Sequence, residues 1–167
     1  MRNTADPIAI ELISSALDSL SDEMAITLMR TARSGNAKEQ LDFSTGILNA
    51  GGELIAVGLG RPLHLGMVHV VMGAVMRHYP VDGMAPEDMF ILNDPYEGGT
   101  HLPDVTVITP VFGEHGTVQE PDILFFVASR GHQADIGGTT PGSMPPDSRT
   151  LDDEGVLIDN FLLVEAG

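Results

Sequence analysis

The sequence contains no cysteine, only one lysine and no long apolar run, and each absence narrows what the chain can be. Without cysteine it forms neither disulfides nor thiolate metal sites, which leaves its redox compartment open. The 8 basic residues face 24 acidic ones, so the net charge is −16. That charge repels phosphate backbones and anionic lipids, and we expect no nucleic-acid or membrane partner. No segment has the length of a membrane span or the pattern of a signal peptide, so we expect a cytoplasmic protein.

Common nucleotide-binding and hydrolase motifs are also missing from the sequence. No Gly-x-x-x-x-Gly-Lys loop is present, and the single lysine, Lys38, lies outside any glycine-rich turn of that kind. The glycine pairs at 98–99 and 137–138 form no dinucleotide fingerprint, and there is no Gly-x-Ser-x-Gly elbow. If the reaction uses ATP, we expect another chain to bind the nucleotide.

The apolar pattern predicts a mixed α/β (α+β) fold that begins with paired helices. Asp6 and Pro7 have the residue types of an N-cap and a first helical position. Ser21 is expected to cap a second helix, and Gly35 is expected to end it.

The rest of the chain predicts a hairpin, a buried helix and a sheet. Residues 43–48 and 53–57 flank a Gly-Gly turn, which is typical of a β-hairpin. Residues 67–79 are apolar on nearly every side, which indicates a buried helix. The remaining predicted elements are strands at 89–92, 105–112 (broken at Pro110), 123–128 and 156–164, an acidic turn at 113–122 and an irregular loop at 139–149. Because little follows the run at 156–164, we expect it to pair with a missing part of the domain or with another chain.

Two of the predicted strands end in glycine-flanked groups of polar residues. After residues 89–92, His101 and Asp104 stand three positions apart, and Pro103 stiffens the turn between them. After residues 123–128 comes His132, followed by a second glycine pair. The repetition predicts one shared site built by loops at the ends of strands.

His101, Asp104 and His132 have the residue types of a catalytic metal site. Two imidazoles and one carboxylate leave coordination positions open for water or substrate, and Zn²⁺, Mn²⁺ and Fe²⁺ all accept this set. The alternative is that both histidines only stabilise glycine-rich loops through hydrogen bonds.

Further polar residues near this site have two or more interpretations. Asp94 and Asp135 are candidates for additional ligands, for groups that orient the histidines, or for caps of local turns. Arg130 is a candidate for bidentate binding of a substrate carboxylate, or for a structural ion pair. The other histidines have weaker signals: His64 could face either way, His69 and His78 are expected at the core or its boundary, and His115 is expected in solvent.

Six segments of the sequence form a recognisable pattern, at 30–34, 38–44, 62–66, 93–104, 129–138 and 140–146. The longest is Asn-Asp-Pro-Tyr-Glu-Gly-Gly-Thr-His-Leu-Pro-Asp at 93–104. In these segments, and in their order, the chain resembles the N-terminal part of the hydantoinase B/oxoprolinase family, which includes the B subunit of ATP-dependent hydantoinases, 5-oxoprolinase and the alpha subunit of acetone-type carboxylases. The resemblance implies that residues 1–167 are the N-terminal portion of one such domain, without an internal boundary. Family subunits run to roughly three times this length and often carry a histidine where this chain has Gln133.

The resemblance also implies a function and a role for the site. In the acetone carboxylase branch, a divalent metal is held by residues that align with His101, Asp104 and His132. A hydantoinase A-type partner would use ATP to activate a cyclic amide such as a hydantoin or 5-oxoproline, and this chain would complete the hydrolysis. Asp94 or Asp135 would then orient ligands or relay a proton. The alternatives are a ketone carboxylase subunit, and an inactive fragment or interaction module that assembles with other chains.

Overall fold

The computed structural model describes residues 6–113 and 122–165. His115 and nearly all of the predicted acidic turn at 113–122 lie outside the described residues. Within them the elements are α1 Pro7–Thr31, α2 Gly35–Lys38, β1 Phe43–Asn49, β2 Leu54–Val57, α3 Pro62–His78, β3 Met89–Leu92, β4 Asp104–Phe112, β5 Ile123–His132, α4 Leu151–Glu154 and β6 Phe161–Val164.

The six strands form one open antiparallel sheet in the order β2-β1-β5-β4-β3-β6, so the predicted mixed α/β class is confirmed. Helix α3 covers one face of the sheet, and α1 packs over β1 and β2 on the other face. The main apolar core lies under α3, and its most buried members include Leu48, Val71, Met72, Val75, Phe90, Ile108 and Phe126. The site described below lies where this core meets one end of the two longest strands.

Helix α1 is continuous, so the predicted break at Ser21 is wrong. The start is as predicted, because Asp6 accepts a hydrogen bond from the backbone N–H of Ile8 and Pro7 is the first helical residue. Ser21 does not cap a new helix; it is buried within α1, and its carbonyl accepts a hydrogen bond from the Thr45 hydroxyl at 3.0 Å. A contact with β1, 24 positions away, therefore overrides the local capping signal.

Gly35 begins a helix instead of ending one. Helix α1 ends at Thr31, and the short helix α2 starts at Gly35 with Ser34 as its N-cap. The predicted hairpin is confirmed: β1 and β2 pair around residues 50–53, and Gly52 adopts a φ of 82° in the turn.

Helix α3 begins five residues before the predicted start and buries one face only. Val68, Val71 and Val75 are buried against the sheet. His69 and His78 are exposed, so their expected place at the core or its boundary is wrong. A helix that lies on a sheet has one contact face and one face in solvent, and the histidines occupy the solvent side.

Strands β4 and β5 are longer than the sequence predicts. Pro110 does not break β4. It pairs with Phe126 of β5, and the pairing of β4 with β3 already stops at Ile108, so no N–H is needed from Pro110 on the β3 side. Strand β5 continues to His132, so Arg130 and His132 lie in a strand, not in the predicted loop after residue 128.

The predicted C-terminal run at 156–164 forms a strand only over its last four residues, β6. Strand β6 pairs with β3, so its partner lies within this chain, contrary to the prediction. Residues 139–149 are irregular, as predicted. No helix within the described residues is long and apolar enough to cross a membrane.

Candidate metal centre

The alternation of side chains along β4 and β5 brings polar residues to one end of the α3-covered face. Asp104 pairs with His132, and Thr106 pairs with Arg130 in the same ladder. Residues two apart on a strand share a face, so these four side chains continue the rows that begin with apolar core residues such as Ile108. The sheet face therefore changes from apolar to polar toward this end.

The three predicted metal ligands meet at this end of the sheet. His101 Nε2 lies 3.1 Å from His132 Nδ1, and the two rings are tilted with centroids 5.0 Å apart. Asp104 Oδ1 lies 3.1 Å from His132 Nδ1, and Asp104 Oδ2 lies 3.3 Å from His101 Nδ1. One ligand atom from each residue can be chosen so that all three lie within 4.8 Å of one another.

These spacings match those of atoms that share a metal ion. Ligand atoms bound at about 2.1 Å around a tetrahedral ion lie about 3.4 Å apart. Two imidazole nitrogens at 3.1 Å repel each other through their lone pairs unless one carries a proton or a cation lies between them. The donor set of two imidazoles and one carboxylate thus fits a divalent transition metal in both chemistry and spacing.

The loop before β4 places His101 opposite His132. Gly98 adopts a φ of 97°, and a Cβ there would lie 2.7 Å from the backbone nitrogen of Val71 in α3. Only glycine fits such a left-handed position against a helix backbone. The N–H of Gln133 donates to the carbonyl of Pro103 at 2.8 Å, which ties the end of the loop to the residue after β5.

Asp104 is the buried member of the group, and its contacts keep it ionised. Burial alone would raise its pKa, but contacts from His64 and the Thr100 hydroxyl, together with the charge of His101, hold the pKa well below its ordinary value. His101 is the member nearest to solvent, with 32% of its side chain exposed against 14% for His132.

The pKa of His101 is lowered, chiefly because it is partly buried. The charge of Asp104 opposes this shift, and the neighbouring His132 adds to it. A neutral imidazole is the form that binds a metal, so the environment favours the ligand form of His101.

Neither Asp94 nor Asp135 belongs to the group of mutually close ligand atoms. Asp94 caps the short 3₁₀ turn Pro95–Glu97 by accepting from the N–H of Tyr96 at 2.8 Å. Asp135 accepts from Gly137, Gly142 and Ser143, and these hydrogen bonds lower its pKa. Both aspartates have the turn-cap geometry that the sequence offered as one interpretation.

Arg130 is buried, with 1% of its surface exposed, and it contacts the loop that precedes β4 and bears His101. Its Nε donates to the Thr106 hydroxyl at 2.7 Å, and one terminal nitrogen donates to the Gly98 carbonyl at 3.0 Å. Burial lowers the pKa of its guanidinium, and the Asp104 carboxylate opposes that shift. Of the two interpretations of Arg130, the described residues show neither a direct ion pair nor a guanidinium open to a substrate carboxylate.

Sequence reasoning left His64 undecided and did not consider Thr100 or Asp42, yet all three lie at this site. His64 Nε2 lies 3.4 Å from Asp104 Oδ2 and 3.9 Å from Asp42 Oδ1, and the Thr100 hydroxyl donates to Asp104 Oδ2. His64 lies some 40 positions before the loop, so spacing along the chain does not reveal the contact. The one available signal was its place inside the matching segment at 62–66.

These features define a mixed α/β protein with a candidate divalent-metal centre at the end of an antiparallel sheet. The chain belongs to the hydantoinase B/oxoprolinase family, whose model matches residues 6–167.

Two of the relatives are named as a 5-oxoprolinase and as a caprolactamase subunit. The chain is 40% identical over 165 residues to 5-oxoprolinase 1 of Arabidopsis thaliana. The aligned region covers 99% of this chain and 12% of the relative. It is 32% identical over 156 residues to the beta subunit of caprolactamase from Pseudomonas jessenii. Here the aligned region covers 93% of this chain and 26% of the subunit. The chain thus spans a small part of the length of these relatives.

Solved structures share the fold. The crystal structure of the ATP-dependent caprolactamase of Pseudomonas jessenii matches 95% of this chain and 26% of its own matched chain, with a TM-score of 0.81 and 30% identity. A nucleotide-free structure of acetone carboxylase matches 96% of this chain and 20% of its own, with a TM-score of 0.83. Its identity of 22% means that this second likeness concerns the fold alone.

Proposed function

We propose that this chain carries the metal centre of a subunit of an ATP-dependent enzyme that hydrolyses a cyclic amide. The observation that supports it is the convergence of His101, Asp104 and His132 at distances that suit a shared ion. The names 5-oxoprolinase and caprolactamase denote enzymes for cyclic amides, so the same class of substrate is proposed here, with 5-oxoproline and, from the family name, hydantoins as its first members.

The residues of the site have separate tasks in this proposal. Asp104, His101 and His132 would hold Zn²⁺, Mn²⁺ or Fe²⁺, and the bound ion would supply Lewis acidity to polarise an amide oxygen and acidify a water molecule. Arg130 holds the loop that bears His101, and the exposed side of His101 is the side from which substrate approaches. Asp94 caps a local turn and is not among the proposed ligands.

The proposal assigns ATP to a partner. The sequence has no phosphate-binding loop, and ATP dependence is stated for the caprolactamase whose beta subunit this chain resembles. An A-type subunit would therefore bind the nucleotide, within a hetero-oligomer. The cytoplasmic location stays a prediction from the sequence.

Lactam hydrolysis is preferred over ketone carboxylation because the sequence identity to the oxoprolinase relative is higher. The carboxylase likeness is one of fold alone at 22%, whereas the oxoprolinase relative is 40% identical over nearly the whole chain. No specific observation favours an inactive interaction module.

The metal centre is tested by loading the purified chain with Zn²⁺, Mn²⁺ or Fe²⁺, dialysing it and measuring metal content. We expect about one ion per chain. His101→Ala should lose the ion, and His69→Ala should retain it because His69 is exposed on α3. A wild-type chain that retains no ion would refute the metal centre.

The reaction is tested after co-purification with an A-type subunit. Ring opening of 5-oxoproline, hydantoin and caprolactam is measured with and without ATP, beside carboxylation of acetone with bicarbonate. ATP-dependent ring opening supports the proposal. Carboxylation without ring opening would contradict it and would support the alternative, a subunit of a ketone carboxylase.

A further inference from the structure

His64 is a buried histidine that faces the carboxylate of the candidate metal centre. It lies in the first turn of α3 and is 4% exposed. Its Nε2 is 3.4 Å from Asp104 Oδ2 and 3.9 Å from Asp42 Oδ1. An ionised carboxylate only accepts hydrogen bonds, so a proton on Nε2 lets His64 donate to Asp104 Oδ2.

The position of His64 is fixed by contacts between the start of α3 and β1. The N–H of Arg61, the N-cap of α3, donates to the Phe43 carbonyl at 2.9 Å. The Ser44 hydroxyl donates to the Arg61 carbonyl at 2.8 Å. These two bonds hold the first turn of the helix on the sheet and aim the imidazole at Asp104.

Of its two acidic neighbours, Asp104 depends on His64 more than Asp42 does. Asp42 is partly exposed, with 25% of its side chain in solvent, and has Arg61 at 3.5 Å. Asp104 is fully buried and its described ion-pair partners are histidines alone. A buried carboxylate needs donors more than an exposed one, and Asp104 is also the closer of the two.

A space-filling role does not account for a histidine at this position. The Nδ1 atom of His64 is buried and has no hydrogen-bond partner among the described residues. An unpaired buried polar atom destabilises the fold, so an apolar side chain would serve packing better. The choice of histidine is explained by what Nε2 does.

His64 also stands apart from the group that can share an ion. Its nitrogens are not among the ligand atoms that lie within 4.8 Å of one another, although Nε2 reaches Asp104. Its contact is with the ligand and not with the ion position.

We propose that His64 is a positioning residue that orients the Asp104 carboxylate through Oδ2, so that Oδ1 faces the ion shared with His101 and His132. This inference rests on the proposed metal function. The Thr100 hydroxyl supports the same Oδ2 from the loop, while His64 supports it from α3. Groups that hydrogen-bond a ligating carboxylate set its direction and the affinity of the site.

The test compares three substitutions at residue 64 by Zn²⁺ affinity against a competing chelator. His64→Leu removes the donor. His64→Asn places an amide where Nδ1 was, too short to reach Asp104, and His64→Gln places one near the position of Nε2. We expect Leu and Asn to weaken binding about 10- to 100-fold and Gln to restore most of it. His69→Leu, on the exposed face of the same helix, is the control and should leave affinity unchanged.

The same variants separate positioning from stability and from direct ligation. The metal-free Tm of the Asn and Gln variants should be similar while their Co²⁺ absorption spectra differ, which a merely structural role would not produce. Equal Zn²⁺ affinity in wild type, His64→Asn and His64→Gln would overturn the inference and leave the proposed function standing. X-ray absorption that counts three imidazoles in wild type and two in His64→Gln would overturn it too, by making His64 a ligand. A wild-type chain without affinity for Zn²⁺ would refute both.

Discussion

Asn93 holds the site loop through three side-chain hydrogen bonds, and its replacement by alanine tests how that loop is anchored. Its Nδ2 donates to the carbonyls of Leu102 and Val156, each at 2.9 Å, and its Oδ1 accepts from the N–H of Ile158 at 2.7 Å. Leu102 lies between the two ligand candidates of the loop. Asn93 is 1% exposed and thus joins the site to the segment before β6 from inside the fold.

The size of the effect follows from the groups that Asn93→Ala leaves unpaired. A buried backbone group that loses its partner costs about 1–3 kcal/mol. The Leu102 carbonyl belongs to a fully buried residue and should show the whole cost, whereas Val156 is 58% exposed and water can replace part of the loss there. We therefore expect the free energy of unfolding to fall by about 3–5 kcal/mol, a large part of the roughly 5–15 kcal/mol of a typical domain.

The assay is urea unfolding followed by circular dichroism at pH 7, with Asn36→Ala as the matched control. Asn36 is partly exposed in α2, and its replacement should change the free energy of unfolding by less than about 0.5 kcal/mol. Asn93→Asp removes both donors and sets a carboxylate against two carbonyl oxygens. Its folded-state pKa should be raised, so its deficit should grow as the pH rises and shrink in acid.

A loss below about 1 kcal/mol for Asn93→Ala would refute this reasoning, because it would mean that water or a rearranged loop satisfies all three groups. A loss in Asn36→Ala of the same size as in Asn93→Ala would have the same consequence.

Three further predictions concern the loops of the site. Gly98→Ala should lower the free energy of unfolding by about 2 kcal/mol in urea, since its φ is 97° and the new Cβ meets the backbone of Val71; Gly66→Ala, with open space around it, is the control and should cost clearly less. Asp104→Asn should abolish Zn²⁺ binding while the metal-free chain still melts cooperatively, and a collapsed melt would show that Asp104 is structural. In an NMR titration, the pKa of the Asp135 carboxyl should lie below that of an aspartate in the urea-unfolded chain, because three loop donors favour its ionised form. Its contribution to loop stability is fully present above the unfolded-state pKa and is lost as the pH falls through the lower folded-state pKa. A folded-state pKa equal to or above the unfolded-state pKa would contradict this.

Local signals in the sequence predict the elements whose causes are local. The Asp6-Pro7 helix start depends on neighbouring residues only, and so does the hairpin turn around Gly52. The break at Ser21 was wrong because the carbonyl of that residue is bonded to Thr45 in another element, which no local pattern contains.

The predicted end of β5 at residue 128 was wrong for a related reason. Residues 129–132 look like a loop because they are polar and contain a glycine, yet they form strand because β1 and β4 pair with them on both sides. Their polarity comes from the site they build, where the Thr106 hydroxyl and the Gly98 carbonyl accept hydrogen bonds from the buried Arg130.

The candidate site was found in part. His101 and Asp104 were visible because they are three positions apart, and His132 was visible because it repeats the strand-then-glycine pattern. His64 reaches the same carboxylate from the first turn of α3, and only the packing of that helix on the sheet reveals the contact.

The central claim is that His101, Asp104 and His132 bind one divalent ion together, and a crystal structure of the Zn²⁺-loaded chain with anomalous data at the zinc edge tests it most directly. The account predicts one strong anomalous peak, about 2.0–2.3 Å from a nitrogen of each histidine and an oxygen of Asp104. A loaded crystal whose zinc peak lies away from these three residues, or contacts only one of them, would contradict it.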